Sequence, residues 1–575
     1  MLGLMMDYPL TLSAIFRRAE QLFRSREIVS RQPDQSLHRY TIADWADRTR
    51  RLAAALAGLG VQPGERVATL MWNHGTHLEA YFAIPLLGGV LHTLNLRLHP
   101  DELAYIVNHA HDRAVIVDAS LLPLWEKVRP QVKVPIEIVV GGPSTPLGTG
   151  ALPAGALDYE SLAASTPPLA DPAEPDENTA VAMCYTTGTT GAPKGVLYSH
   201  RAIVLHTLGL TQAGVMGICE EDTVCPIVPM FHANAWGMPF ASVMTGAKQV
   251  MPGPHLDPAS ILDLFERERV TITGGVPTIW IGVLQLLDAS PKKYDLSSIR
   301  VMFVGGSAVP QALIEAFEKR HGMRIIQAWG MTEMSPLGSC AHVPASMAGA
   351  PDDAVFKYRA KQGRPAPFVE IRARSDNGLV PWDGETMGEL EVRGPWIAGG
   401  YYGRSDCGDR FTPDGWFRTG DIVTIDASGT IQVQDRAKDV IKSGGEWISS
   451  VALECALMGH PAVAEAAVIP VDHPKWSERP LAAVVLKPGA SASPSDLRSF
   501  LAAQGLSARR VIHVLYRRVP QRSRAKSLGC VDYYGIGLFE TGHRLTRFSP
   551  ALLFVRHRER QDPGSCDRSR GRCED

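Results

Sequence analysis

Three absences narrow the sequence before any motif is read. None of its 575 residues belongs to an apolar run long enough for a membrane-spanning helix, and the longest candidates are broken by Gly, Pro or His. No sign of charge prevails. With 58 Lys and Arg against 60 Asp and Glu, the net charge of -2 gives no general electrostatic case for a nucleic acid or an anionic membrane as partner. Metal-binding cysteine spacing is missing too: the nine Cys form neither a CxxC pair nor a Cys/His ligand pattern. That argues against a zinc site and fits a reducing, cytoplasmic setting. Met1 to Arg18 contains Asp7 and Pro9 and no continuous apolar region ahead of a small-residue cleavage site, so no secretory signal is expected.

What is present is enough for a large core. At 45% hydrophobic over this length, the chain should fold as more than one domain. Leu12 to Phe23 and Thr41 to Leu59 carry apolar residues at helical spacing, the second with a capping-box start at Thr41-Ile-Ala-Asp44. Strand-like and helix-like segments then alternate from Gly64 through Val115–Asp118 to Ile138–Val140, the pattern of an α/β fold with a mostly parallel sheet. Residues 141–178, rich in Pro, Gly, Ala and Ser, are expected to make a surface excursion.

The stretch Tyr185-Thr-Thr-Gly-Thr-Thr-Gly-Ala-Pro-Lys-Gly195 follows that excursion. It holds four Thr, three Gly and Lys194 between two strand-like runs. Glycine lets the backbone approach a ligand closely, and successive N–H groups can form a nest for an anion. Thr186, Thr187, Gly188, Thr189, Thr190, Gly191 and Lys194 therefore make a candidate phosphate loop. It is not the Gly-Lys-Ser/Thr loop of NTPases, because Lys194 lies between Pro193 and Gly195 and cannot open a helix.

Further on, Val301-Met-Phe-Val-Gly-Gly306-Ser307 reads as a strand running into a small-residue turn that can lie flat against a ligand ring. In Gln327-Ala-Trp329-Gly330-Met-Thr332-Glu333, the threonine offers a hydroxyl to a phosphate, and the carboxylate is a hard oxygen ligand suited to Mg²⁺. Pro229 to Gly237 packs Phe231, His232 and Trp236 together; a histidine in such company is more often a satisfied core residue than a site. From Gly363 to Gly415, short alternating runs among Gly and Pro turns suggest a small barrel or distorted sheet.

Taken together, Tyr185–Gly195 and Gln327–Glu333 resemble the signatures of the adenylate-forming, or AMP-binding, superfamily, and within it the medium- and long-chain fatty-acyl-CoA synthetases. The resemblance implies an α/β fold: a large N-terminal domain with parallel sheets and a distorted β-barrel, and a small hinged α+β C-terminal domain. The expected divisions are 1–434, a hinge at 435–440, 441–526, and a divergent tail at 527–575. The implied activity is that of an acid–thiol ligase, joining a fatty acid to coenzyme A through acyl-AMP with ATP and Mg²⁺. Small molecules are then the expected partners, and the resemblance leaves room for a homodimer. A stand-alone adenylating enzyme serving another acid or a carrier protein is the alternative, as is a catalytically impaired relative.

The same resemblance distributes roles. Lys194, His232, Thr332, Glu333, Arg436 and Lys526 would be catalytic, with Glu333 also holding the metal. Gly306, Ser307, Gln327, Trp329, Gly330 and Asp421 would join the phosphate loop around the nucleotide, Asp421 taking both ribose hydroxyls. Trp236 would gate an acyl tunnel. Lys438 would be the pivot, and Lys442, Gly444, Gly445, Glu446 and Trp447 would face the site in the thioester-forming pose.

Motif-level likeness spans about residues 10 to 506 and then fails. Ser507 to Asp575 contains fourteen Arg, one Lys and three of the Cys, and Lys526 is preceded by Ala525 where the family has Gly. A divergent or out-of-frame tail is expected, with disorder from about Ser527. Because the family's C-terminal Lys serves adenylation while the hinge serves thioester formation, the two half-reactions should separate. We expect slow acyl-AMP formation from ATP but near-normal conversion of supplied acyl-AMP and CoA. Both are to be measured on this chain and on one given a family-typical C-terminus after Leu506; equal adenylation rates would show the tail to be harmless.

Overall fold

The computed structural model describes residues 1, 3–142, 152–186, 192–405, 407–443, 446–473, 477–487, 489–504 and 513–517. Two compact units divide the chain, Met1–Lys438 and a second starting at Asp439.

Two large sheets build the first unit. One has nine strands, of which six neighbours are parallel: Ile325–Gly330, Val301–Val304, Ile272–Gly275, Thr223–Pro226, Lys248–Met251 and Glu27–Arg31. Antiparallel strands close its edges, with Leu337–Cys340 and Arg364–Pro365 on one side and Leu37–Thr41 on the other. The other sheet has seven strands, in the order Leu157–Asp158, Ile136–Val140, Asp112–Asp118, Arg66–Leu70, Val90–Thr93, Ala180–Thr186 and Lys194–Ser199. Only its last pair is antiparallel. Runs such as Val301-Met-Phe-Val304 are buried at every position because both faces of a parallel sheet are covered.

The cover is a helical layer. Helix Leu12–Leu22 packs on helices Ile42–Gly58, Gly75–Leu86, His200–Thr211 and Met238–Thr245. Helix Gly75–Leu86 is buried on every side and reads accordingly as almost entirely apolar. Phe16, Trp45, Phe82 and Phe240 join in a chain of tilted and edge-on ring contacts, with centroids 5.1–5.7 Å apart along it. The capping box expected at Thr41 is formed, with Thr41 Oγ1 accepting from Asp44 N at 3.2 Å.

The excursion at 141–178 is more structured than its composition suggests. Helix Tyr159–Ser165 lies within it, and Tyr159 is buried. The cause is a buried carboxylate: Glu79, inside the helical layer, accepts from Tyr159 Oη, from Tyr40 Oη at 3.0 Å and from Arg48 Nε at 2.8 Å. Removing the donors would leave that charge unmet, so the segment is drawn in.

After the large sheets, the expected barrel takes the form of a bulged five-stranded antiparallel sheet, Gly378–Leu379, Glu370–Ser375, Gly388–Arg393, Phe417–Ile425 and Ile431–Arg436. Between the last two strands the register shifts once, so that Ile422 faces Asp435 but Val423 faces Val433, with Gln434 the extra residue. In the second unit, helix Ser450–Met458 is followed by strand Val463–His473. Strand Ser477–Leu486 pairs with Val463–His473 and, in parallel, with His513–Arg517. No described helix is long and apolar enough to cross a membrane.

Three buried imidazoles give the first unit a pH dependence. Burial pushes His77 and His206 down to about 3 and His200 to about 4. Two of them are acceptors, His200 Nδ1 from Leu12 N at 3.2 Å and His206 Nε2 from Leu337 N at 3.3 Å, which requires the neutral ring. Each folded value lies below the unfolded one, so the unfolded chain binds more protons between them. Stability is therefore full above pH ~6.5 and lost as pH falls, by about 2 kcal/mol per histidine between pH 7 and 5. Urea unfolding from pH 7 to 5 should show this slope, and His206→Gln should lower it by up to one proton; an unchanged slope would contradict the assignment of His206.

Candidate active site

The two strands flanking the candidate phosphate loop form the antiparallel edge of the seven-stranded sheet, where Thr186 and Lys194 are directly opposed as the last pair before the loop. Thr187, Gly188, Thr189, Thr190 and Gly191 lie outside the described residues. Tyr402 N donates to Gly195 O at 2.9 Å. Lys194 holds its Nζ 4.8 Å from the ring centroid of Tyr401. Its ammonium is pushed below the usual lysine value by desolvation, then by Arg410 and Arg404, while Glu333 opposes that shift.

Glu333 lies at the end of the nine-stranded sheet, on a short turn that follows strand Ile325–Gly330. It is 5% exposed. Tyr401 Oη donates to its Oε1 at 2.7 Å, and Ala398 N donates to its backbone carbonyl at 2.7 Å. Thr332, also buried, is fixed by Tyr198 Oη donating to its carbonyl at 2.7 Å. The turn depends on a missing side chain. A Cβ at Gly330 would stand 1.9 Å from the carbonyl oxygen of Pro336, which Met331 N already uses at 2.9 Å.

Asp421 is nearly as buried, at 3% exposed. Trp329 Nε1 donates to its Oδ2 at 3.0 Å, and Arg436, its cross-strand partner, stands with Nη1 2.8 Å from Oδ1. Desolvation raises its carboxyl above the usual value, with Arg436, Trp329 and Arg410 pulling the other way. A carboxylate has about four lone-pair sites, so two acceptor directions remain after these contacts.

The residues chosen for the acyl side sit on a distorted turn. Ala233, Asn234, Ala235 and Trp236 all have left-handed φ, between 43° and 56°, an arrangement that L-residues adopt only when their surroundings hold it. Here Asn234 Nδ2 donates to Tyr81 Oη at 3.3 Å, Tyr81 Oη donates to Met230 O, and Thr93 Oγ1 donates to Phe231 O at 3.2 Å. Trp236 is buried, with its ring 3.4 Å from where a Gly305 Cβ would stand. His232 is accessible to solvent yet lies in a recess: desolvation first, and Arg97 second, push its imidazole below the usual value.

Other expected residues are placed less directly. Gly306, with φ +85°, and Ser307 are exposed on the turn after Val301–Val304. Gln327 is buried, and its Oε1 accepts from Val309 N at 3.2 Å, so its side chain braces that turn from beneath. Lys438 and Lys442 are exposed, and Lys442 Nζ lies 5.0 Å from the Trp447 ring centroid within the second unit. Gly444, Gly445, the Glu446 side chain and Lys526 lie outside the described residues. Among the described residues no group of three His, Cys, Asp or Glu could hold a metal, so a cation here would need substrate oxygens besides Glu333.

Sequence reading missed Tyr401 and Arg410. Arg410 acts on Lys194, Tyr401 and Asp421 alike. The signal for Tyr401 was the run Gly399-Gly-Tyr-Tyr-Gly403, small residues flanking two aromatics; nothing local marks Arg410.

Comparison with known proteins shows the family and the fold. The AMP-binding enzyme family matches residues 16–402, and its C-terminal domain family matches 452–521. That second match runs past Leu506 and corrects the expected limit of the likeness; strand His513–Arg517, within it, completes a sheet whose pairing does not depend on the motif residues. A long-chain-fatty-acid–CoA ligase of Thermus thermophilus is 46% identical over 91% of this chain and 95% of its own. A 3-methylmercaptopropionyl-CoA ligase of Ruegeria pomeroyi is 43% identical over 87% and 92%. The solved structure of an anthranilate CoA ligase with anthranoyl-AMP superposes with a TM-score of 0.75 at 26% identity, over 89% of this chain and 94% of that one.

The Gly330 contact is directly testable. Gly330→Ala should cost at least about 2–3 kcal/mol, since a backbone carbonyl cannot yield as a side chain can. Gly214→Ala, where nothing lies within 4 Å, should change little by comparison. Thermal unfolding of both variants checks this, and equal melting temperatures would contradict the close approach.

Proposed function

Because the chain belongs to the AMP-binding enzyme family, we propose that it is an ATP-dependent acyl-CoA synthetase acting on a fatty acid. The observation that carries the reading is the convergence of Lys194 and Glu333 on Tyr401, with Arg410 linking them electrostatically to Asp421. On this reading the phosphates, a cation and the ribose are met by separate groups. A carboxylate oxygen of the acid attacks the α-phosphorus of ATP, the bond to the β-phosphate bridging oxygen breaks, and acyl-AMP and pyrophosphate result. The CoA sulfur then attacks the acyl carbonyl and AMP leaves.

No side chain need be the nucleophile, since the substrates supply both. What the protein supplies is position and charge. Lys194 with Thr186–Gly191 meets the phosphates, Thr332 adds a hydroxyl, and Arg436 contacts phosphate or ribose. Asp421 offers its remaining acceptor directions to the ribose hydroxyls, held in place by Trp329. The turn at Gly305–Ser307, braced by Gln327, and Gly330 give the base a flat, close-lying backbone. His232, whose imidazole is held below the usual value by desolvation and by Arg97, favours the neutral ring and stands by the carboxylate. Trp236 closes the acyl side.

Glu333 fits a Mg²⁺ ligand: it is a buried hard oxygen donor, and among the described residues only one hydrogen bond occupies its carboxylate. When bound, the ion would neutralise charge on the phosphates. Lys438 is the pivot for the second half-reaction, with Lys442, Gly444, Gly445, Glu446 and Trp447 turned to the CoA thioester step, and Lys526 is the candidate for adenylation.

The relatives' names range from long-chain fatty acids to 3-methylmercaptopropionate, so the acid is to be found by assay. Pyrophosphate release over acids from acetate to palmitate, with and without CoA, tests the reading. CoA-dependent turnover on a medium or long chain is expected; turnover unaffected by CoA would favour a stand-alone adenylating enzyme. Lys194→Ala should slow adenylation by about 10²–10³-fold with little loss of stability. A variant as fast as the parent would remove Lys194 from this role.

A further inference from the structure

Two opposite charges that must act on different parts of a ligand face a physical difficulty: left close together, they neutralise each other. Lys194 and Glu333 are near enough to interact electrostatically, yet no direct ion pair joins them among the described residues. One side chain contacts both. Tyr401 presents its ring face to Lys194 Nζ, 4.8 Å from the centroid, and its hydroxyl edge to Glu333 Oε1 at 2.7 Å. An aromatic ring suits this, because the face is the negative part of its quadrupole and the phenol is a donor.

The ring itself is held. Tyr401 is 6% exposed and meets Phe411 edge-on with centroids 6.0 Å apart. The backbone on both sides is tied to the same two loops: Ala398 N donates to Glu333 O at 2.7 Å and Tyr402 N to Gly195 O at 2.9 Å.

We propose that Tyr401 is a positioning residue with two separable functions: its hydroxyl orients the Glu333 carboxylate for a divalent cation, and its ring keeps Lys194 apart from that carboxylate for the ligand's phosphates. This rests on the nucleotide-binding reading of the site. The hydroxyl and the ring can be removed one at a time. Tyr401→Phe keeps the spacer and loses the donor, whereas Tyr401→Leu loses both and lets Lys194 close on Glu333.

The test is calorimetric binding of ATP with and without Mg²⁺ to the full chain and to Y401F, Y401L and E333Q, alongside Mg²⁺ titration of pyrophosphate release. Y401F should raise the half-saturating Mg²⁺ concentration roughly tenfold, the scale of one hydrogen bond to a charged group. Its affinity for metal-free ATP should stay within about twofold. Y401L should show the same metal defect and also bind metal-free ATP more weakly by about threefold or more, as loss of a cation–π contact predicts. The proposal is overturned if Y401F leaves the Mg²⁺ titration unchanged, or if it weakens metal-free ATP as much as Y401L does. E333Q separates the two levels of inference. If E333Q abolishes the metal dependence while Y401F does not alter it, Glu333 keeps its role and Tyr401 loses the proposed one. An unaltered Mg²⁺ titration in E333Q overturns the metal role of Glu333 itself. Y401F is nearly isosteric, so the test stands even if Y401L unfolds.

Discussion

Two carboxylates, Glu333 and Asp421, are almost wholly withdrawn from water, and the organisation of the first unit follows from what that costs. A buried anion is tolerated only with donors or cations close by. Asp421 has an indole N–H and a guanidinium; Glu333 has a phenol, with a lysine one ring away. Those partners come from widely separated parts of the chain: the edge of one parallel sheet, the end of the other, and two neighbouring strands of the small antiparallel sheet. Meeting two charges thus fixes three sheets to one another.

The neighbouring cations act in the opposite sense on Lys194 and Asp421. Arg410 depresses the lysine and supports the carboxylate, while desolvation disfavours the charged form of both. Such opposition is typical of a place prepared for a ligand that brings its own charge. A polyphosphate entering here would relieve the repulsion between Lys194 and the arginines.

How far this was legible in the sequence varied with the kind of information. The strands flanking the phosphate loop, the capping box at Thr41 and the alternation of helix and strand depend on local pattern, and they stand where the pattern places them. Glu79 drawing Tyr159 inward was illegible, because it joins residues eighty apart whose neighbours give no hint of pairing. Gln327 was seen as belonging to the motif, but the side chain turns to the Val309 backbone, a partner that only the folded turn supplies. Tyr401 and Arg410 escaped for a related reason: each matters through several partners at once, and no spacing along the chain encodes that.

The bulge at Gln434 carries a consequence for heredity. Side chains alternate along a strand, and the bulge absorbs the extra residue, so that Val433, Asp435 and Arg436 stay in phase with Val423, Ile422 and Asp421. Point changes at Gln434, itself only partly buried, alter a side chain and leave the count intact. Deleting the Gln434 codon would close the bulge into a regular ladder, with Asp435 still opposite Ile422 and Arg436 still opposite Asp421. Lineages descending from this chain should therefore tolerate both substitution and loss of this one residue, since the ion pair of Asp421 and Arg436 survives either change.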